Sequence, residues 1–446
     1  MQENRRNVKS VIILLNILFL TLCSVVYWRI WVVFFKYKIV EPFYSKGTLL
    51  LVLVYALILL FFSSFYGGYK IRINRITEII FSQMLALALS NVITYLQISL
   101  IAREMLNIAP LLLMTTIQIL VAVIWAYVSN RVYILMNPPL KLVFISSGGG
   151  DSEILLKLNK LSSRFSVSEI VVTSDDYVPI LDKIETEAID GVVISNLGSD
   201  KRDIIAKRCY DKGISLYIVP EIVDILVNGA SKLHIFDTPL FIVEGKGLST
   251  ENAILKRAMD IFGSIICILF FLPIMLLASL AILFEDGSPI LYKQERLTKN
   301  NKGFEIIKFR SMFKNSEEEG TPKLAVHNDS RITKVGKTIR RLKIDELPQL
   351  FNVLKGEMSL VGPRPERGEL VDNYLEKMPE FHYRTRVKAG MTGYAQIMGK
   401  YNTSPEDKLK LDLMYIENYS IALDFKILLM TLKAVFIGDM DEKKVI

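Results

Sequence analysis

Two adjacent carboxylates, Asp345 and Glu346, follow a strongly basic part of the chain. This stretch, 331–343, holds six basic residues and no acid, and Pro348 comes two residues after the pair. Taken alone, the pattern predicts a capped helix that begins here and stops at Gly356. A carboxylate at a helix start that faces cations is also held in its charged form. An ionised carboxylate can attack phosphorus, and a second acid beside it can hold a magnesium ion or shuttle a proton.

A short turn sequence, Gly362-Pro363-Arg364-Pro365, follows the acid pair. Two prolines around one arginine predict a rigid turn that fixes the guanidinium. A planar guanidinium held in one place suits bidentate recognition of phosphate. The basic cluster before Asp345 could likewise hold a pyrophosphate and neutralise the charge that develops on it. The tetrapeptide alone would be weak support, but next to an acid pair it indicates a phosphate site.

The composition shows what kind of molecule must position these groups. Of the 446 residues, 51% are hydrophobic and 22% are charged, and the mean hydropathy is +0.34. These values argue against a purely cytosolic enzyme and a disordered or fibrous chain, and favour a membrane protein with soluble parts. The net charge of +8 suits phospholipid headgroups, phosphates or nucleotides. The three cysteines and three histidines are scattered, so neither disulfides, a zinc site nor a histidine-based triad is expected.

Four long apolar runs occupy the N-terminal part of the chain, at 11–35, 49–66, 79–101 and 109–128. Each is long enough for a helix that crosses a bilayer, which takes about 20 residues. The first run is interpreted as a retained anchor, because no small-residue cleavage site follows it. Basic residues are enriched at the N-terminus, in the second connection and after the fourth run, which places these three segments in the cytoplasm. The first connection is also basic and does not fit this orientation.

Short β-branched runs alternate with charged helical stretches between residues 141 and 244. This alternation predicts a small parallel α/β unit. A glycine-rich turn at 147–150 stands where a phosphate-binding turn would, but it does not match G-x-G-x-x-G, so nucleotide binding and a structural or regulatory role both stay open. The predicted strands are 141–146, 169–173, 191–195, 215–220 and 240–243, and the predicted helices are 153–161, 178–188 and 201–212.

A fifth apolar run, 261–284, contains Pro273 at its middle and has basic residues at both ends. Proline removes a helix hydrogen bond and bends the axis. A crossing helix should have unequal charge at its two ends. The pattern therefore favours a helix–break–helix hairpin that enters and leaves by the cytoplasmic face over a full crossing.

Together, these motifs resemble the bacterial sugar transferase domain of the polyprenyl-phosphate phosphoglycosyl transferases, in family order over nearly the last 200 residues. The full chain resembles the large members that initiate exopolysaccharide or capsule synthesis. Departures are Lys388-Ala389-Gly390, Tyr394 and Thr298, where the family commonly has Arg-Pro-Gly, tryptophan and glycine. The matching elements are Lys256-Arg257-x-x-Asp260, Pro273, Gln294-x-Arg296, Lys308-Phe309-Arg310-Ser311-Met312, Asn328-Asp329-x-Arg331-Ile332-Thr333, Asp345-Glu346-Leu347-Pro348-Gln349, Met358-Ser359-Leu360-Val361-Gly362-Pro363-Arg364-Pro365, Gly390-x-Thr392-Gly393 and 401–420.

The resemblance implies a reaction and roles for individual residues. A sugar-1-phosphate, with glucose or galactose expected first, would pass from a UDP-sugar to undecaprenyl phosphate, and UMP would be released. Asp345 would be the nucleophile that forms a phosphosugar ester, while Glu346 would assist it and both would hold Mg²⁺. Pro273 would form the break of the re-entrant membrane segment, which Lys256 and Arg257 would precede. The implied phosphate-binding residues are Arg296, Lys308, Arg310, Arg340 and Arg364.

The expected fold is a membrane α-helical bundle (1–135), a Rossmann-like α/β domain (136–248) and a membrane-associated α/β catalytic domain (249–446) with a re-entrant hairpin at 257–284. The protein is expected in the bacterial inner membrane with its catalytic domain on the cytoplasmic face. Other polysaccharide-assembly proteins could be partners, nucleic acid is not expected, and the oligomeric state stays open. Two alternatives are a membrane-bound nucleotide-sugar dehydratase or epimerase, which lacks its Tyr-x-x-x-Lys pair here, and a non-catalytic scaffold, which would leave the acid pair unexplained.

Overall fold

The computed structural model describes residues 2–39, 44–148, 152–172, 189–245, 247–314, 329, 331–399 and 403–441. The chain forms two compact units, Met1–Pro220 and Glu221–Ile446. The first unit contains the N-terminal helices and a parallel sheet, and the second contains the acid pair.

Each of the four N-terminal apolar runs lies in a long helix. These helices are α1 (Gln2–Ile30), α2 (Ser45–Phe65), α3 (Ile76–Ala102) and α4 (Ala109–Met136). Helix α1 packs against α2 and α4, and α3 packs against the same two helices, so the four close into a bundle. All four are long and apolar enough to cross a membrane.

A buried hydrogen-bond network joins the four helices of the bundle. Asn91 in α3 accepts a bond from the Tyr55 hydroxyl (3.1 Å) and donates to Gln118 Oε1 (2.9 Å). Gln118 in α4 in turn donates to the Tyr55 hydroxyl (2.8 Å) and to the backbone carbonyl of Cys23 in α1 (3.0 Å). Polar side chains among apolar helices need such partners, so this network fixes which helix faces meet.

The first unit continues as a four-stranded, wholly parallel sheet in the order β2-β1-β3-β4. Its apolar strands pack against helices through two small cores, one of which includes Val143, Ile194, Ile205 and Cys209. The predicted helix 178–188 and the turn residues Gly149 and Gly150 lie outside the described residues. The elements are β1 (Leu140–Ser146), α5 (Ser152–Asn159), β2 (Phe165–Val172), β3 (Gly191–Ser195), α6 (Ser199–Asp211) and β4 (Ser215–Ile218).

Residues 240–242 of the predicted strand 240–243 do form a strand, but its assignment to the parallel sheet is wrong. The second unit begins with α7 (Ile222–Asn228) and the strands β5 (Ser231–Ile235) and β6 (Thr238–Ile242), which form an antiparallel hairpin. The linking residues 236 and 237 are too few for a parallel crossover, which needs a dozen residues or more. Every residue of both strands is exposed.

The remaining elements of the second unit surround one hydrophobic core. Strands β7 and β8 form an antiparallel hairpin, whereas β9 and β10 pair in parallel. Leu350, Val353, Val361, Leu409 and Leu413 are among the fully buried core residues. The elements are α8 (Thr250–Asp286), β7 (Leu291–Leu297), β8 (Gly303–Phe309), α9 (Lys334–Arg341), α10 (Gln349–Lys355), β9 (Ser359–Val361), α11 (Gly368–Lys377), β10 (Gly390–Thr392), α12 (Tyr394–Met398), α13 (Pro405–Glu417) and α14 (Ile421–Asp441).

Helix α8 continues through Pro273. The break between two helices, predicted from that proline, is therefore not seen: proline removes one donor, and the surrounding turns keep the helical conformation. The helix buries one face near each end, with Lys256, Asp260 and Ser264 in the first half and Met275, Ala278 and Ile282 in the second. Between them, Leu269 and Phe270 are 68% and 73% exposed. Cys267, Ile268 and Phe271 still pack against that core, so α8 keeps one side on the core and exposes an apolar side.

Candidate active site

The backbone between α9 and α10 presents the two carboxylates on a single tight turn. Lys343 adopts the left-handed conformation (φ 57°), which ends α9 and starts a one-turn 3₁₀ segment, Ile344–Glu346. Helix α10 begins only at Gln349, with Pro348 at its N-cap position. The prediction that the acid pair caps this helix is therefore wrong, because both acids lie in the separate 3₁₀ turn. The predicted stop at Gly356 is confirmed, since this glycine has φ 88° and its N–H bonds back to Asn352.

Glu346 is paired with two cations at once. Its Oε1 accepts hydrogen bonds from Lys308 Nζ (3.0 Å) and Arg364 Nη2 (2.9 Å). Burial by itself would raise the pKa of Glu346, but the charges of Arg364 and Lys308 outweigh it and hold the pKa well below its usual range. Glu346 is therefore ionised at any physiological pH.

Asp345 lies in a different environment from its neighbour. Its Oδ1 atom is buried and has no hydrogen-bond partner in the described part of the chain. Burial and then the charge of Glu346 raise the pKa of Asp345, against the opposing charges of Lys308, Lys343 and Arg340. The expected stabilisation of a charged carboxylate is thus found at Glu346 and not at Asp345, and the cations bonded to it, Lys308 and Arg364, lie outside the basic stretch 331–343.

A small cavity adjoins this ion-pair cluster. It is lined by Arg296, Ile306, Lys308, Gln349, Arg364 and Pro365. Burial lowers the pKa of both Lys308 and Arg296. Three cations around one cavity are chemically suited to an anion with several oxygen atoms.

The turn that carries Arg364 is fixed from behind by β10. The N–H of Gly362 donates to Thr392 O (2.8 Å), and the N–H of Gly390 donates to Pro363 O (2.8 Å). A side chain at Gly390 would collide with the backbone of Gly362, so glycine is required where the two segments meet. The guanidinium of Arg364 is therefore presented from a rigid backbone, as the prolines predicted.

Comparison with known proteins places this site in a family. The model of the family described as Bacterial sugar transferase matches residues 251–438, which include the acid pair and the cavity. The chain is also 40% identical over 189 residues to the exopolysaccharide production protein PSS of Rhizobium leguminosarum bv. phaseoli, a match that covers 40% of this chain and 92% of that protein. The chain belongs to the bacterial sugar transferase family.

Two larger relatives match more of the chain. The UDP-N-acetylgalactosamine-undecaprenyl-phosphate N-acetylgalactosaminephosphotransferase of Aeromonas hydrophila is 38% identical over 268 residues, which are 58% of this chain and 62% of that protein. The undecaprenyl-phosphate glucose phosphotransferase of Komagataeibacter xylinus is 32% identical over 348 residues, 72% of this chain and 64% of that protein. The chain thus spans somewhat less than two thirds of the length of these two relatives.

Arg340 and Arg310, two further predicted phosphate-binding residues of this sugar transferase, are not among the residues that line the cavity. Arg340 Nε donates to Ser311 Oγ (2.7 Å), and its charge acts on Asp345. Arg310 is buried and donates to the carbonyls of Asp286 (2.8 Å) and Gly287 (2.7 Å). Arg310 therefore holds the end of α8, and the structure does not bring it into the cavity.

The two basic residues predicted to flank the membrane segment anchor α8 to the catalytic unit. Lys256 Nζ is bonded to Asp424 (2.6 Å) and to the hydroxyl of Tyr415 (3.1 Å). Arg257 donates to the carbonyls of Val353 and Leu354 (both 2.6 Å), which are acceptors left over at the end of α10. The helix that follows the acid pair is thus capped by a residue of α8.

Sequence reasoning missed a supporting pair behind the turn. Arg384 Nη2 donates to the carbonyl of Arg364 (3.1 Å) and is bonded to Asp412 (2.8 Å). Burial raises the pKa of Asp412 to about 6, although the charge of Arg384 acts in the opposite direction. The pair lies 28 residues apart in sequence. Asp412 falls in the matching stretch 401–420, but nothing in that stretch indicates Arg384 as its partner.

Proposed function

We propose that the chain transfers a sugar-1-phosphate from a UDP-sugar to undecaprenyl phosphate and releases UMP, as the first membrane step of exopolysaccharide or capsule synthesis. The observation that carries this proposal is the acid pair beside a cavity lined by Arg296, Lys308 and Arg364. The names of two matched relatives describe undecaprenyl-phosphate sugar phosphotransferases, which supports the substrate class.

Asp345 is the proposed nucleophile. Its unpartnered Oδ1 has its lone pairs available, whereas Glu346 is committed to two cations. In the first step Oδ1 attacks the phosphorus that carries the sugar, an aspartyl–phosphorus bond forms, and the phosphorus–oxygen bond to UMP breaks. In the second step a phosphate oxygen of the lipid attacks the same phosphorus, which yields the lipid diphosphate sugar and restores the carboxylate. The cations around the cavity neutralise charge on the phosphate oxygens in both steps.

Mg²⁺ is proposed as the cofactor, with Asp345 and Glu346 as its protein ligands. No cluster of three or more His, Cys, Asp or Glu side chains occurs among the described residues. Two carboxylates nevertheless fit this ion, because Mg²⁺ is often held by one or two carboxylates together with substrate phosphates. Once bound, the ion would polarise a phosphoryl oxygen.

Helix α8, although unbroken at Pro273, is proposed to keep both ends on the cytoplasmic face of the bacterial inner membrane and to place its exposed apolar side in lipid. Near its start, Asp260 accepts bonds from Ser359 Oγ and Leu360 N (both 2.9 Å). At its end, the Glu285 carboxylate accepts bonds from the N–H groups of Lys334 (2.8 Å) and Val335 (2.9 Å). Both ends are thus bonded to one folded unit, and the exposed apolar side of the helix is left for lipid. Extracytoplasmic labelling of a cysteine placed just after residue 284 would contradict this.

The transfer is tested with the full chain, undecaprenyl phosphate and a panel of UDP-sugars, with released UMP as the readout. We expect UDP-glucose or UDP-galactose to be used best, and UDP-N-acetylgalactosamine is included because a matched relative is named for it. Asp345→Asn should abolish both UMP release and the protein–phosphosugar adduct detected by mass spectrometry. Full activity of this variant would refute the assigned nucleophile, and no UMP release with any donor would refute the function. A membrane-bound dehydratase or epimerase would change the sugar without UMP release.

A further inference from the structure

Gln349 is a buried side chain with an unused donor. It is the first residue of α10 and only 3% exposed, and its Nε2 atom has no hydrogen-bond partner in the described part of the chain. A buried amide N–H without an acceptor costs about 1–3 kcal/mol. Such groups are rare in folded proteins, and each calls for an explanation.

The surroundings of Gln349 show what kind of group could satisfy it. The same cavity is lined by Arg296, Lys308 and Arg364, whose side chains only donate hydrogen bonds. Arg296 Nε is a second buried donor without a partner among the described residues. The nearby acceptor of the cluster, Glu346 Oε1, already receives bonds from Lys308 and Arg364. A ligand in this cavity would supply the acceptor that Gln349 lacks, and the three cations favour an anionic ligand.

The backbone holds Gln349 in place before any ligand arrives. The ring of Pro348, the residue before Gln349, fixes its own φ angle. Leu350 and Val353 anchor α10 in the hydrophobic core. At the other end of the helix, Arg257 bonds to the carbonyls of Val353 and Leu354. A donor fixed in this way binds an oxygen atom without reorganisation.

We propose that the side-chain amide of Gln349 donates to a phosphate oxygen of the sugar nucleotide's diphosphate in this cavity. The inference rests on the proposed function for the identity of the donor substrate, but the contact itself requires only a diphosphate. Because the amide is neutral, it adds a directed contact without adding to the positive charge of the cavity. Loss of this contact should weaken binding in the ground state and the transition state alike, so it should appear in KM and leave kcat nearly unchanged.

The test measures binding of inorganic pyrophosphate to the full chain in detergent, and therefore does not depend on turnover. Gln349→Met keeps the size of the side chain and removes the donor, and we expect the Kd for pyrophosphate to rise about 5- to 10-fold. Gln349→Glu places a carboxylate in the anion site and should weaken binding by more than the methionine variant. Gln396→Met is the matched control, since Gln396 Nε2 already donates to Met391 O and does not line the cavity.

Thermal unfolding separates a ligand contact from a structural role. Gln349→Met removes a buried unpaired donor, so the ligand-free variant should melt at the same or a higher temperature than the wild type. Weaker pyrophosphate binding together with unchanged or raised stability supports the proposal. Unchanged binding, or a joint loss of binding and stability, overturns it. If Gln349→Met weakens pyrophosphate binding but no UDP-sugar yields UMP, the contact stands and the proposed transfer falls.

Discussion

Glu346→Gln should make the site bind its product more tightly while it slows the reaction. In the wild type, one carboxylate oxygen of Glu346 accepts hydrogen bonds from both Lys308 and Arg364, so an incoming phosphate competes with Glu346 for these two cations. The amide keeps the shape of the side chain and loses the negative charge. The two cations are then held less tightly and are more available to the ligand.

The size of this effect follows from the two contacts, at 3.0 and 2.9 Å. A hydrogen bond to a charged group is worth about 1.5–3 kcal/mol and a neutral one about 0.5–1.5, so the variant gives up about 1 kcal/mol per contact. Solvent screens part of this, because the Arg364 side chain is 45% exposed. We therefore expect UMP to bind about 10-fold more tightly, since about 1.4 kcal/mol corresponds to a factor of ten.

The assay pairs a UMP binding titration with the rate of UMP release across pH. Loss of an assisting acid should lower kcat by about 100-fold or more. The acid limb of the residual pH–rate profile should move to lower pH, because the charge of Glu346 raises the pKa of Asp345. Glu305→Gln is the control, since Glu305 forms an exposed pair with Lys293. Weaker UMP binding in Glu346→Gln would refute the competition between this carboxylate and phosphate.

Two further predictions concern stability. The pKa of Asp412 is about 6 in the folded chain and about 3.8 in the unfolded chain, so the folded state binds more protons between these pH values. The stability that this group contributes therefore falls as the pH rises through this range, by about 2–3 kcal/mol in all. The melting temperature of the wild type relative to Asp412→Asn should therefore decrease from pH 4 to pH 7, and a constant or rising difference would contradict the raised pKa. Gln118→Leu removes bonds to all three other helices and should destabilise the detergent-solubilised bundle by about 1–2 kcal/mol, as measured by thermal unfolding. Thr116→Leu is the control and should have no such effect, because the Thr116 hydroxyl bonds within its own helix. Equal losses of stability in both variants would contradict the role assigned to the network.

The sequence predicted those features that depend on local pattern. Apolar runs longer than a bilayer is thick can form little other than helices, and the continuous apolar strands β1 and β3 fit a sheet covered on both faces. The stop of α10 was predictable because Gly356 alone supplies the left-handed conformation there. Arg364 was predictable as a fixed guanidinium because prolines stand on both sides of it.

The arrangement within the site could not be predicted in the same way. Which carboxylate meets the cations depends on the left-handed conformation of Lys343, an unusual choice for lysine that nothing in its neighbours indicates. Lys308 lies on β8, which ends at Phe309, and Arg310 follows directly. The sequence does not indicate that Arg310 bonds to the end of α8 while Lys308 bonds to Glu346. The unpaired amide of Gln349 is likewise visible only once the cavity around it is known.

The bonds between α8 and the rest of its unit bear on how the protein can be made. A fragment that begins after α8 would leave Arg310, Asp424 and the carbonyls at the end of α10 without their partners, and it would strip Ser359 and Leu360 of a shared acceptor. The catalytic unit therefore cannot complete its fold before this helix is in place. During synthesis α8 precedes the acid pair by about 60 residues, so placement of the helix at the membrane and folding of the active site must be coupled events.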